Sequence, residues 1–173
     1  IRGFFAAMGY AAMDLREQPG ICELTGALII DRARGLGYAG LTDRCDEAGA
    51  AAMHAAFGLR ATLMFDLAPG EYHTNVVMSV LAGRALVVCK EGFADPAAPA
   101  AIAALYAPHV VEISSAQKAA FAGNCIALSP DRLWMSQAGA NALMPAQRDI
   151  LAAAGFAVAP VALDEIEKAG GSL

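Results

Sequence analysis

Three stretches of this chain open in the same way about fifty residues apart, and that period constrains its fold more than any other feature. Cys22-Glu23-Leu24-Thr25-Gly26 leads into the apolar run Ala27–Ile30. Tyr72-His73-Thr74-Asn75 leads into Val76–Met78, and Ala122-Gly123-Asn124 into Cys125–Leu128. Glu23 and His73 are 50 positions apart, and His73 and Asn124 are 51 apart. A period in this range marks a propeller or repeat array, in which each unit buries its apolar face against its neighbours. Where every unit carries a polar residue at the same end of the same strand, the array's symmetry brings those residues to a shared axis. The repeat thus predicts a site as well as a fold. Continued at the same spacing, it puts a fourth opening at about 174–175, past Leu173.

Within each repeat, apolar runs and turn residues read as strand, hairpin, strand, helix, strand. In the first unit, about residues 21–67, Ala27–Asp31 and Leu36–Leu41 are strands joined through Arg32–Gly35. Asp43 and Asp46 offer caps for a helix over Glu47–Phe57, Gly58 ends it, and Leu59–Asp66 returns as a strand. The second unit, about 71–115, predicts strands over Asn75–Leu81, Ala85–Cys89 and Val110–Ser114, with a helix from Asp95-Pro96 to Tyr106. The third, about 121–164, predicts strands over Cys125–Leu128, Leu133–Ser136 and Phe156–Leu163, with a helix from Pro145 to Ala154. Residues 1–20 read as the end of an earlier unit (helix Phe4–Met8, Gly9, strand Tyr10–Leu15), and 165–173 as the start of the next. Ile1 is not an initiator Met, so the sequence reads as a piece of a longer protein.

Seventeen acids against twelve bases give a net charge of −5, which argues against a nucleic-acid surface. The longest apolar stretch, Pro96–Val111, is broken by Pro99 and Pro108 and falls short of the roughly 20 residues a membrane span needs. No targeting segment is evident, because Asp14, Arg16 and Glu17 follow the apolar start without a cleavage pattern. Cys22, Cys45, Cys89 and Cys125 contain no CxxC pair and no zinc spacing, so a reduced, cytoplasmic setting without a bound metal is expected.

A histidine at a strand start is commonly a structural hydrogen-bonding residue, and a lone glutamate a solvated one. Equivalent places in consecutive repeats change that reading, since a surface charge has no reason to respect the period. A carboxylate beside a histidine orients the ring and stabilises its charged form, which is the base–orienter half of a nucleophilic triad. Of Cys45, Cys89 and Cys125, only Cys125 stands at a strand opening, beside Asn124, although a buried structural thiol is the commoner state. Gly35-Leu36-Gly37-Tyr38-Ala39-Gly40 matches GxGxxG, but Leu41-Thr42-Asp43 separate it from any helix and Asp66 lies 26 residues past Gly40. A dinucleotide site needs the helix to open within the glycines, so they fit a hairpin better. His54, His109 and Trp134 read as structural.

Glu23-Leu24-Thr25-Gly26 with Asp31-Arg32, Tyr72-His73-Thr74-Asn75-Val76-Val77-Met78, Phe121-Ala122-Gly123-Asn124, Met135-Ser136-Gln137 and Ile166–Ser172 resemble, in order, motifs of the arginine deiminase-related amidinotransferases. Within that group, the pentein superfamily, the chain looks most similar to the citrulline-utilisation hydrolases. The resemblance implies an α/β propeller of five such units, here incomplete. It also implies a cysteine-dependent hydrolase acting on a C–N bond of a guanidino or ureido amino-acid compound, with no cofactor. His73 corresponds to the family's catalytic histidine and Glu23 to the acid supporting it, with Asn75 and Asn124 in substrate-binding places. Asn75 stands where arginine deiminases carry an aspartate, and Leu24 where a glycine is usual beside the acid. The family's catalytic cysteine follows the Gly-Gly-Ser string, which here is Gly170-Gly171-Ser172, so the nucleophile is expected at about 174–176 and the present chain is expected to be inactive alone. A small guanidino or ureido molecule is the expected partner, without nucleic acid or membrane, and homo-oligomers are compatible with the fold. The rival reading is a non-catalytic propeller like the ribosomal anti-association factors, which lack the Glu, His and Cys that line the axis; a catalytically dead paralogue is a further alternative.

Overall fold

The computed structural model describes residues 1–24 and 26–173; Thr25, part of the first opening, lies outside them. Helix α1 (Arg2–Ala7) comes first, followed by residues 10–15, which are largely exposed and carry no regular structure. The strand expected over Tyr10–Leu15 does not form. Those residues find no strand partner among the described ones, and an unpaired strand leaves its backbone groups to water.

The first sheet holds β1 (Leu28–Asp31), β2 (Leu36–Leu41) and β3 (Ala61–Asp66), with α2 (Glu47–Phe57) crossing from β2 to β3. A single helical turn, α3 (Thr74–Val77), leads into the second sheet of β4 (Met78–Leu81), β5 (Ala85–Val88) and β6 (Val110–Glu112), crossed by α4 (Ala97–Ala104). After α5 (Ser115–Ala119) comes the third sheet, β7 (Cys125–Ser129), β8 (Arg132–Ser136) and β9 (Ala157–Val161), with α6 (Gln137–Ala142) and α7 (Pro145–Ala153) in its crossover. Helix α8 (Asp164–Glu167) follows. In every sheet the first two strands are antiparallel and the third runs parallel to the second. A short hairpin suffices for the antiparallel step, whereas the parallel step needs a crossover of the length a helix provides.

Helix α2 has the bounds its local signals set. The Asp46 side chain accepts from the Gly49 N–H at 2.7 Å, and Gly58 closes the helix in the left-handed region at φ 59°. The strand expected from Asn75 instead begins at Met78, after α3. Val76 and Val77 favour a strand, but the segment's ends are held elsewhere. Asn75 N–H donates to the Gly26 carbonyl at 3.0 Å, and Thr74 Oγ1 donates to the Ala27 carbonyl at 2.6 Å while accepting from Gly40 N–H at 2.8 Å. Tertiary bonds from the first unit thus override local propensity.

The first strands of successive sheets adjoin, β1 against β4 and β4 against β7. One core lies between the first sheet and α2 (Leu28, Ala39, Ala50 and Met53), and two others are shared across a boundary. Tyr38 and Phe65 from the first sheet pack with Met78, Val88, Ile102 and Tyr106 from the second. Val87, Val111 and Ile113 pack in turn with Leu133, Met135 and Leu151 from the third. None of the described helices is long and apolar enough to cross a membrane.

Candidate active site

Glu23, His73 and Asn124, widely separated in the chain, meet at the ends of the adjoining first strands. Glu23 precedes β1 in a loop pinned by its N–H, which donates to the Arg44 carbonyl at 2.8 Å. His73 stands at the N-terminal boundary of α3 in an extended conformation, φ −138° and ψ 146°. Its Nε2 lies 3.0 Å from Glu23 Oε2, and the same oxygen accepts from Arg44 Nη1 at 2.8 Å. The Arg44 guanidinium first, and His73 second, hold the Glu23 carboxyl below the usual glutamate range. The His73 side chain is 17% exposed, so the imidazole is sheltered without being sealed off.

Gly26 makes this geometry accessible. A Cβ there would collide with Nδ1 of His73 and stand 2.7 Å from Oδ1 of Asn75. The glycine that follows the first opening therefore leaves room for the ring of the second. The openings are also linked by hydrogen bonds, since Asn75 donates to Gly26 and Asn124 Nδ2 donates to the Asn75 carbonyl at 3.3 Å. Asn124 is 7% exposed, and its Oδ1 is a buried acceptor with no hydrogen-bond partner among the described residues. An unpaired buried carbonyl oxygen costs about 1–3 kcal/mol, and Asn124 is one of the residues that line a cleft.

The cleft encloses about 500 Å³ and is lined by His73, Asn75 and Asn124 together with Arg44, Tyr72, Lys118, Phe121 and residues 169–173. Tyr72 stacks obliquely on His73 at 4.9 Å between centroids, and its hydroxyl donates to the Gly170 carbonyl at 2.7 Å. That bond draws the C-terminal segment over the site. Lys118 pairs with the mostly buried Glu71. Arg44, Lys118 and Tyr72 were not expected as site residues. Arg44 lies just past β2 in a turn held by Thr42 and Cys45, so only tertiary structure aims it at Glu23.

None of the four cysteines lines the cleft. Cys125 sits behind Asn124 at 8% exposure, and burial pushes its thiol up to about 12, leaving it protonated near neutral pH. Burial likewise raises Cys89. His54 bonds Thr62 Oγ1 at 3.0 Å, a structural contact. Among the described residues, no group of three or more His, Cys, Asp or Glu side chains is placed to hold a metal ion.

The three small mixed sheets with adjoining first strands have the α/β fold of the pentein superfamily, and the family match of residues 7–173 places the chain within it. More narrowly, residues 7–173 match the family described as N,N dimethylarginine dimethylhydrolase, eukaryotic, and the chain belongs to that family. No curated protein sequence matches the chain significantly. Among solved structures, the N-terminal domain of a substrate-bound Cys-to-Ser mutant of ArgZ, an arginine dihydrolase from the ornithine–ammonia cycle in Cyanobacteria, superposes with a TM-score of 0.79 at 22% identity. That match covers 99% of this chain and 60% of the ArgZ domain. AgrE in complex with L-arginine gives a TM-score of 0.78 at 24% identity, covering 99% of this chain and 25% of AgrE. A Cys-to-Ser mutant of dimethylarginine dimethylaminohydrolase (DDAH) from Pseudomonas aeruginosa, complexed with citrulline, gives 0.65 at 22% identity, over 90% of this chain and 55% of that one. At these identities the superpositions establish the fold. The chain spans about 60% of the ArgZ domain it matches.

Proposed function

We propose that this chain forms the acid–base half of a cysteine-dependent hydrolase that cleaves a C–N bond in a guanidino or ureido amino-acid compound. One observation carries the reading: Glu23 Oε2 lies 3.0 Å from Nε2 of His73, and His73 lines a cleft together with Asn75 and Asn124. Glu23 orients the imidazole. Asn124 Oδ1 accepts an N–H from the planar substrate group, and Asn75 stands beside it. Arg44 and Lys118 bring positive charge that suits the carboxylate of an amino-acid substrate.

A cysteine thiolate attacks the central carbon of the guanidinium, and His73 passes a proton to the departing amine. The resulting S-linked adduct is hydrolysed by a water that gives its proton to His73, releasing a ureido product and regenerating the thiolate. The nucleophile is assigned to a cysteine at about position 174–176 of the longer protein. Two observations support that assignment: Leu173 already lines the cleft, and no thiol in residues 1–173 does. Residues 1–173 alone then bind such compounds without turning them over.

The test is kinetic, on the protein extended past Leu173. His73→Gln and Glu23→Gln should both reduce kcat, by about 10²–10⁴-fold for His73, with smaller effects on KM. Wild-type kcat in His73→Gln would remove the histidine from the chemistry.

A further inference from the structure

Cys22 and Cys45 face each other across an isolated antiparallel bridge beside the cleft. The flanking backbone bonds run from Glu23 N–H to the Arg44 carbonyl at 2.8 Å and from Asp46 N–H to the Ile21 carbonyl at 2.9 Å. Those bonds bracket the two cysteines, which makes them a non-hydrogen-bonded pair with Cα atoms about 4.5 Å apart. A disulfide spans Cα separations of about 4.4–6.8 Å, so the backbone already has the spacing. The sulfurs lie 3.5 Å apart. Cys22 is half-buried and Cys45 fully buried, so an oxidant in solution meets Cys22 first. The Cys45 thiol donates to Cys22 and lowers its pKa, which favours Cys22 as the attacking thiolate. Cys89 and Cys125 are buried free thiols.

We propose that Cys22 and Cys45 form a reversible redox pair, oxidised to a cross-strand disulfide by a small-molecule disulfide of the glutathione class. The Cys22 thiolate attacks one sulfur of oxidised glutathione, forming a mixed disulfide and expelling one glutathione thiolate. Cys45 then releases its proton and attacks the Cys22 sulfur, expelling the second. Two electrons pass from the cysteines to the glutathione disulfide, and the two thiol protons end on the two reduced glutathiones. Excess thiol reverses both steps.

The bridge would join the loop that carries Glu23 to the turn that carries Arg44. Glu23 follows Cys22 directly and Arg44 precedes Cys45, and at present these two segments are held without a covalent link, by the exposed ion pair, the backbone bonds, the Ile21 N–H to Asp46 Oδ1 bond and the thiol–thiol contact. Oxidation therefore restrains the carboxylate that faces His73. This consequence for the cleft rests on the role proposed for Glu23; formation of the disulfide does not.

The experiment uses residues 1–173 equilibrated in buffers of graded oxidised-to-reduced glutathione, quenched in acid, alkylated and digested without reduction for mass spectrometry. A Cys22–Cys45 linked peptide is expected. It should be accompanied by a rise in Tm of roughly 6–12 °C, reversed by dithiothreitol, as expected for closing a loop of about two dozen residues. Cys22→Ser and Cys45→Ser should each abolish the peptide and the rise, and Cys89→Ser should retain both. Glutathione held on Cys22 without a cross-link, or full alkylation of both thiols at the most oxidising ratio, would overturn the proposal. An NMR titration of His73 in the two redox states reads the coupling to the cleft. A changed midpoint supports it, and an unchanged midpoint beside a formed cross-link overturns the coupling alone. Turnover of the extended protein is a separate measurement, so its failure leaves the cross-link result intact.

Discussion

Gly26 carries no side chain, and the His73 ring occupies the volume that a methyl group there would take. Gly26→Ala should therefore displace the ring or push β1 away from α3, costing about 1–3 kcal/mol in urea unfolding. The same displacement should reduce kcat of the extended protein by about 10²-fold, because near-attack geometry tolerates little misplacement. Asn124 should behave in the opposite way. Its unpaired Oδ1 is an uncompensated burial in the free protein, so Asn124→Leu should change stability by less than about 1 kcal/mol while weakening calorimetric binding of a guanidino ligand at least about tenfold. Glu23 has a pH signature. Arg44 and His73 depress its folded-state pKa, so its stabilising contribution is complete above the unfolded value of about 4.3 and is lost as pH falls through the lower folded value. Glu23→Gln should flatten stability against pH in that acid window and leave its shape above about pH 5 unchanged, as followed by thermal melts across the pH range.

Successive elements are fastened by a device that recurs with the period. Arg34, in the hairpin turn of the first sheet, donates to the Gly83 carbonyl in the next hairpin turn and to the Leu105 carbonyl at the end of α4, and its guanidinium lies over Tyr106. Arg84 repeats the arrangement one unit later, with the Pro130 and Ala154 carbonyls and the ring of Phe156. Arg84→Met keeps the stem but leaves two carbonyls without their charged donor, so urea unfolding should show a loss of about 1–3 kcal/mol. The expected hairpins, crossover helices and α2 bounds rest on signals within a few residues of each element, and the structure has them close to where those signals lie. A Ser114–Gln117 capping box starts α5, where the sequence pattern instead carries a strand on to Ser114. The arginine fasteners, the helical turn of α3 and the aim of Arg44 were not readable. Each depends on partners dozens of residues away, which no local periodicity encodes. Glu23 and His73 stood out only because the repeat related them.

At the scale of the whole molecule, the first unit has a core of its own, whereas two further cores are each shared by neighbouring sheets, so the second and third units taken singly have no complete interior. Ile126 and Leu128 on β7 and Leu63 on β3 are 43%, 74% and 41% exposed. Such apolar surface on the outer sheets favours contact with further protein. Residues 1–173 in isolation are therefore expected to associate with rising concentration, measured by sedimentation velocity, and the extended protein less so.

The central claim is that Glu23 and His73 serve a cysteine that enters the cleft just past Leu173. Turnover of arginine, citrulline and N-methylated arginines by three proteins tests it most directly: residues 1–173, the extended protein, and the extended protein with its downstream cysteine changed to serine. Hydrolysis of at least one compound by the extended protein alone is the expected result, with the serine variant down by many orders of magnitude. Turnover by residues 1–173, or undiminished turnover by the serine variant, would contradict it.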